Sequence, residues 1–537
     1  MEVVLGCQDE MDKEDSAPSV ELRQEDVAKV EAIAGFLSNM EPYCEDVIRA
    51  PLAHEALRAM APWRNGCHGA ARSTRSLRVT REIEVFWSHS WRDNHWRKYV
   101  TLALFCNGFA ALAISCAGAL LAACLFAFRQ LPAPEGIEDE EDPRSVWALG
   151  VGMSLYVLTL FLWRERQLVF LDVVSIDQQN PALKMKGLLS LGAFLKYSES
   201  MLVLFEGNYV KRLWCIFEIA AFLKSHPESE GTNLIMRPTM LAPCYLATTV
   251  TVFLVYVSVY LLPRSDDRVL KWAFEALLCF CGFYANTAAF REYFRSVEQM
   301  MEKLQQFKLQ ETACECCASG HIDAQGNPSI CDRECIYMCI SEWFGSVSVF
   351  EERVKTDVLR CLSQQLSSQF FTYRQCLVST IPLAWSFLDL ASARVHVAGK
   401  DPWLKGSTEL VRLVAWWMGV GPVTLLVGCR LSHAMRARCR WKACDLLLNC
   451  VPLLGIVVVV VVAVQVEVFC YGAMRLQTEN FANMLLFAAI TVPASVLLFA
   501  FVGAHPQPKE VLKHETSLHQ LNLNPHGHGC QIPGRSP

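Results

Sequence analysis

Charge is what this 537-residue chain has least of. Asp, Glu, Lys and Arg make up only 19% of it, against about 25% in ordinary soluble domains. Hydrophobic residues make up 53%, and mean hydropathy is +0.24. The deficit is concentrated in long apolar runs, which excludes a wholly soluble protein and implies a polytopic membrane chain. With a net charge of −5 there is no general basic surface, so nucleic acid is excluded as a partner and membrane lipid is expected. The opening MEVVLGCQDEMDKED lacks the basic and apolar regions of a secretory leader, so the first membrane helix is expected to direct insertion. The start is not Met-Gly and the ending GRSP is not a prenylation box, so no lipid anchor is expected at either. P-loop, kinase and HExxH motifs are also missing. Cysteine is plentiful, at 24 residues, but lacks the regular spacing of a secreted disulfide framework. Cys106, Cys116, Cys124, Cys279 and Cys281 lie in apolar runs, where a thiol acts as a small hydrophobe, and most cysteines are expected to be free.

Eight windows suit membrane spans: 99–128, 146–163, 240–262, 272–290, 376–393, 410–429, 446–470 and 482–502. They form four successive hairpins, and a span needs roughly 20 apolar residues. The fifth is the weakest, with Pro382 and Asp389, but charge supports it. Arg430, Arg436, Arg438, Arg440 and Lys442 form a basic loop, and Arg92, Arg97 and Lys98 precede the first span. Glu135, Glu138, Asp139, Glu140, Glu141 and Asp142 follow that span. Placing both basic segments inside requires an even number of spans between them and leaves both termini cytoplasmic. Ionisable residues within spans flag function by default. Arg412 and Glu467 lie near span ends and are expected to snorkel, leaving Glu275 and Asp389 as the basis for a transporter or channel reading.

Outside the spans, residues 1–80 read as a polar tail with one amphipathic helix (Val27, Val30, Ile33, Ala34, Leu37), and 66–76 as a linker. Residues 291–375 form a cytoplasmic helical block. Its stripes, Phe294, Val297, Met301, Leu304, Phe307 and Phe350, Val354, Val358, Leu362, are expected to pack together, to pack under the module described next, or to form a simple connector. The block also crowds Cys314, Cys316, Cys317, His321, Cys331, Cys335 and Cys339 into a short stretch. Thiolates beside an imidazole suit zinc, with a reduced thiol-rich loop as the alternative. Residues 504–537 read as a disordered tail, in which His526, His528 and Cys530 give a weak metal signal.

The remaining segments, 81–98 and 164–239, carry a different pattern. EIEVFWSHSW begins at Glu82, LVFLDVVSIDQ at Leu168 and SMLVLFEGNYVKRLWCIFEIAAF at Ser200. Residues 168–176 and 201–205 are apolar, strand-like runs. Pro181 opens a helix, Gly207-Asn208 makes a turn, 212–224 is a second helix and 233–236 a short last strand. Strand–helix–strand–helix at this spacing is a parallel, doubly wound pattern, with 83–87 as its first strand, separated from the rest by the hairpin 99–163. Ligands in such sheets bind beyond the carboxyl ends of the strands, which gathers Ser88, His89, Ser90, Asp177 and the segment 208–218. Ser88-His89-Ser90 has no visible acid partner or G-x-S-x-G elbow for a hydrolase. Trp214 and Cys215 fit core positions, with a reactive thiol at Cys215 as the other reading.

On these residues, and most of all on W-C-x-x-E at Trp214–Cys215–Glu218, the split module resembles a TIR (Toll/interleukin-1 receptor) domain, as in multi-pass membrane proteins of protists. The resemblance covers about a fifth of the chain. The membrane hairpin stands where the first helix of such a domain would be, and the span at 240 truncates its end. Together with the eight apolar windows, the resemblance gives an expected membrane α-helical fold of about eight transmembrane helices with a small cytoplasmic α/β doubly wound module. It further implies signalling by homo-oligomeric self-association or partner recruitment. Some TIR domains cleave NAD with a glutamate that matches Glu218. The resemblance then implies NAD as a possible substrate, with Ser88, His89, Asp177 and Trp214 as candidate binding residues. A carboxylate beside the ribose stabilises an oxocarbenium-like state.

Overall fold

A computed structural model describes residues 24–62, 78–91, 94–133, 144–227, 233–261, 268–322, 326, 330–368, 372–397, 401–473 and 480–502. The expected linker 66–76, the acidic loop at 135–142 and the tail 504–537 with His526, His528 and Cys530 lie outside them. The protein is a helical membrane protein. Six helices are long and apolar enough to span a bilayer: His95–Ala127, Leu241–Tyr260, Trp272–Gln305, Pro402–Ala434, Lys442–Cys470 and Phe481–Phe501. The weak fifth window is a pair of helices, Tyr373–Ser379 and Ile381–His396, bent by 58°. The break follows Pro382, which sits in the first turn of the second helix and has no N–H to continue the first. The second window is the 16-residue helix Trp147–Leu162. At about 1.5 Å per residue it reaches roughly 24 Å, short of a bilayer core of about 30 Å.

Four parallel strands form one sheet: β1 (Ile83–His89), β2 (Val169–Phe170), β3 (Ser198–Phe205) and β4 (Leu234–Pro238), ordered β2-β1-β3-β4. Val85 lies opposite Val169, Trp87 opposite Leu202, and Met201 opposite Leu234. The run Met201–Leu202–Val203–Leu204–Phe205 is wholly buried, as expected where helices cover both faces of a parallel sheet. On one face Phe86, Phe170, Met201, Val203 and Phe205 pack on Phe194, Ile216, Phe217 and Phe222 of the following helices. On the other, Val85, Trp87, Leu202 and Leu204 pack on Tyr99 and Leu102, in the first turns of the first membrane helix, and on Ala56 and Leu57. The crossover from β1 to β2 is therefore the helix pair His95–Ala127 and Trp147–Leu162, and the first turns of the span-length helix His95–Ala127 complete the core of the sheet.

Three expectations need correcting. The apolar run 168–176 is not one strand. Asp172 Oδ1 accepts from the Val173 N–H at 2.8 Å and Ser175 Oγ from the Leu171 N–H at 3.2 Å. These local bonds turn Asp172–Ser175 into a short helix. The helix opened by Pro181 breaks at Ser190, whose Oγ accepts from the Tyr43 N–H at 2.9 Å and donates to Lys186 O. The amino-terminal region is more than a polar tail. Val30, Ala34 and Leu37 of helix Gln24–Ser38 are buried, and that helix meets Asp332–Phe344, with Trp343 Nε1 donating to Ser38 O at 3.0 Å. Of the open readings for the second block, two are observed together: the stripes pack on each other, Phe307 against Phe350 at 6.4 Å between ring centroids, and both pack under the sheet. Leu304, Phe307, Phe350, Val354, Val358 and Leu362 share a core with the sheet, and the first stripe as far as Leu304 continues the third of the six long helices without a break in Arg268–Gln305.

Candidate functional site

The strand order reverses between β1 and β3, and ligands of open α/β sheets bind outside the carboxyl ends at such a point. Ser88 is the next-to-last residue of β1 there. Its Oγ donates to Glu218 Oε2, and the Tyr209 hydroxyl lies 2.5 Å from Ser88 Oγ. Glu218 sits in the second turn of helix Leu213–Ser225. Arg212 caps that helix and lies 3.8 Å from Glu315. Burial pushes the Glu218 carboxyl up to about 8, and the neighbouring Asp172 charge pushes the same way. Ser88 and Arg212 oppose it. Asp172 is likewise pushed up to about 6 by burial, and its Oδ2 accepts from Trp91 Nε1 at 2.9 Å. Trp91 packs on the His89 ring at 4.7 Å between centroids. Burial, then the charge of Lys98, hold His89 down at about 3, so its imidazole is neutral. Its Nε2 has no hydrogen-bond partner among the described residues. The fully buried Lys98, in the first turn of the membrane helix, donates to Ser90 O.

Of the residues singled out from the sequence, Ser88, His89 and Glu218 come together. Asp177 instead shapes a turn, its Oδ1 accepting from the N–H groups of Gln179 and Asn180 at 2.9 and 3.0 Å. The acid facing Glu218 is Asp172. Trp214 donates from Nε1 to Asp332 Oδ2 at 3.2 Å, on the Cys-rich segment. Cys215 is buried, with its thiol 3.7 Å from His89 O. Tyr209 and Arg212, expected at this edge only as part of the segment 208–218, complete the site together with Trp91. A turn followed by an aromatic was the only signal for Tyr209, and Trp91 became legible only once Asp172 left the strand.

The cysteine-rich segment also divides. Donor atoms of Cys316, Cys317, His321 and Cys331 all lie within 4.8 Å of one another. Cys314 approaches Cys316 at 3.1 Å between sulfurs, and these two form a second, smaller group with Asp332. Cys335 and Cys339 turn away toward Val30 O and Ala34 O of the amino-terminal helix. They line one helical face, as their spacing of four predicts, but that face is the core rather than a ligand set.

Two of the acids within the apolar region, Asp389 and Glu467, have structural partners. Asp389 accepts from Ser145 Oγ and from the N–H groups of Ala148 and Leu149 at 2.7–2.8 Å, capping helix Trp147–Leu162. Arg412 and Glu467 do not snorkel apart: they pair at 2.6 Å, and Trp416 Nε1 donates to Glu467 at 3.2 Å. Glu275 is half-buried, its Oε1 without a hydrogen-bond partner among the described residues.

Compared with known proteins, the chain matches no family model, no curated protein and no solved structure.

Proposed function

We propose that this chain is a multi-pass membrane signalling or interaction protein. Its split sheet is a TIR-like module on the cytoplasmic side, as are both termini, and it acts by self-association or partner recruitment. One observation carries the reading. The β2-β1-β3-β4 order sets the Trp214–Cys215–Glu218 helix directly after β3, with Glu218 against Ser88 where the order reverses. The state of Glu218 favours interaction over catalysis. Pushed up to about 8, its carboxyl is mostly neutral at pH 7 and is held by Ser88. A neutral acid gives little stabilisation to a developing cation. Because the first membrane helix completes the core of the module, a shift of the hairpin bears directly on the β1 edge. The test is clustering of the full-length protein in membranes, measured against its density. Clustering that rises with density and survives Glu218→Ala supports the reading. A protein that stays monomeric at every density, with no captured partner, refutes it.

The convergence of Glu218, Ser88, Asp172 and Arg212 at one edge favours NAD cleavage as the second reading. Its chemistry requires the ionised carboxylate, so turnover rises as pH approaches 8 and disappears in Glu218→Gln. Absence of turnover across pH 6–9 by folded protein in nanodiscs removes it.

A further inference from the structure

We propose that Cys316, Cys317, His321 and Cys331 bind one zinc ion as a closed, tetrahedral structural site that ties the Cys-rich segment to the helix bearing Glu218. Three thiolates and one imidazole form a complete structural zinc set. The donor atoms already lie within 4.8 Å of one another. The Cys317 and Cys331 sulfurs are 3.8 Å apart, matching the edge of about 3.8 Å that Zn–S bonds of about 2.3 Å give a tetrahedron. Nδ1 of His321 is buried without a hydrogen-bond partner among the described residues, so a ring nitrogen is open to a metal. The surroundings fit the ligated state. The Asp332 N–H donates to the Cys316 sulfur at 3.3 Å, as outer-shell donors do at thiolate sites. The guanidinium of Arg333, the residue next to Asp332, is held by Gln310 O and Thr312 O and supplies a nearby positive charge against the single negative charge left when three thiolates hold a dication. On binding, three thiols release their protons to solvent and the imidazole stays neutral.

The site has a mechanical consequence. Ala313 N donates to Lys211 O at 2.6 Å, Leu213 N to Ala313 O at 3.3 Å, and Trp214 to Asp332. These bonds join the segment to the first turn of the Leu213–Ser225 helix, and the ion fixes the segment that makes them.

The test uses the full-length protein in detergent, loaded with cobalt(II) as the probe. Wild type gives the thiolate-to-metal charge-transfer band and intense visible bands of a tetrahedral Cys3His centre, and zinc bleaches them. His321→Ala and Cys331→Ser lose the bands, while Cys314→Ser, Cys335→Ser and Cys339→Ser keep them. Stripping the ion speeds hydrogen exchange at Leu213–Glu218 in the wild type. The proposal is overturned if folded wild type gives no such bands. It is equally overturned if the bands survive Cys331→Ser and fall with Cys314→Ser, which would move the metal to the Cys314–Cys316–Asp332 group.

Discussion

At the scale of single residues, Glu218 carries the clearest consequence. Its folded-state value near 8 against an ordinary 4.5 means that the folded protein holds a proton the unfolded chain has lost. Its contribution to stability is complete below about pH 4.5 and is lost as pH rises through 8. Asp172 acts in the same direction, from 3.8 to about 6. His89 acts in the opposite sense. Its value is depressed from 6.5 to about 3, so its contribution is present above 6.5 and lost as pH falls toward 3. The window from pH 6.5 to 8 therefore isolates Glu218. Wild type should lose thermal stability across it, and Glu218→Gln, which keeps the shape without the titration, should not. Parallel profiles for the two proteins would contradict the buried, neutral carboxyl. Ser88→Ala is expected to be about 1–3 kcal/mol less stable in chemical denaturation, since it strands the fully buried Tyr209 hydroxyl and the Glu218 carboxyl.

At the scale of elements, two acids hold helix ends that apolar packing alone leaves unsatisfied. Asp389 supplies the acceptor for the first turn of Trp147–Leu162. Asp389→Ala should lower stability by about 1–2 kcal/mol and Asn should recover part of it, as capping substitutions do. If either substitution instead changed solute flux in liposomes without changing melting temperature, the capping role would be wrong. Asp445 receives Arg291 at 2.9 Å and Arg295 at 2.7 Å, and Arg291 is wholly buried. The Asp445 carboxylate is 26% exposed and Arg291 keeps Met435 O, Asp445 O and Asn449 Oδ1 as acceptors, so removing the carboxylate should cost about 1–3 kcal/mol. Asp445→Ala should therefore lower the midpoint of thermal unfolding, and a change under about one degree would discount the pair. These elements also mark what was legible in sequence. Apolar windows placed the membrane helices because hydrocarbon demands length and composition that nothing else in the chain imitates. The buried strand β3 was equally plain. The end of β2 was not, because Asp172 and Ser175 bond their own backbone, and neither did the run of apolar neighbours signal it. The residues of the Cys-rich segment were named together, but the division between ligand-like and core cysteines depended on the amino-terminal helix that faces Cys335 and Cys339, which no local pattern announces.

At the scale of the whole molecule, β1 and β2 are adjacent although a span-length helix, His95–Ala127, and a shorter apolar helix, Trp147–Leu162, separate them in the chain. Hydrophobic pattern alone permits each segment to be a separate short strand. Adjacency follows from the core: Val85 and Val169 share one face with Tyr99 and Leu102 of the membrane helix, so the sheet and the hairpin close around the same apolar volume. Register partners in a parallel sheet lie about 4.8 Å apart, within reach of a short thiol cross-linker. Val85→Cys with Val169→Cys should therefore cross-link above the wild-type background. An engineered protease site between 134 and 143 turns the linkage into a visible product, because the two fragments then stay joined on a denaturing gel. Glu84→Cys with Val169→Cys is the matched control, since successive residues of a strand point to opposite faces. Fragments that separate in the register pair, or join equally in both pairs, would break the continuity of the sheet across the hairpin. Without that continuity, movement of the spans would have no direct route to the edge where Ser88 meets Glu218.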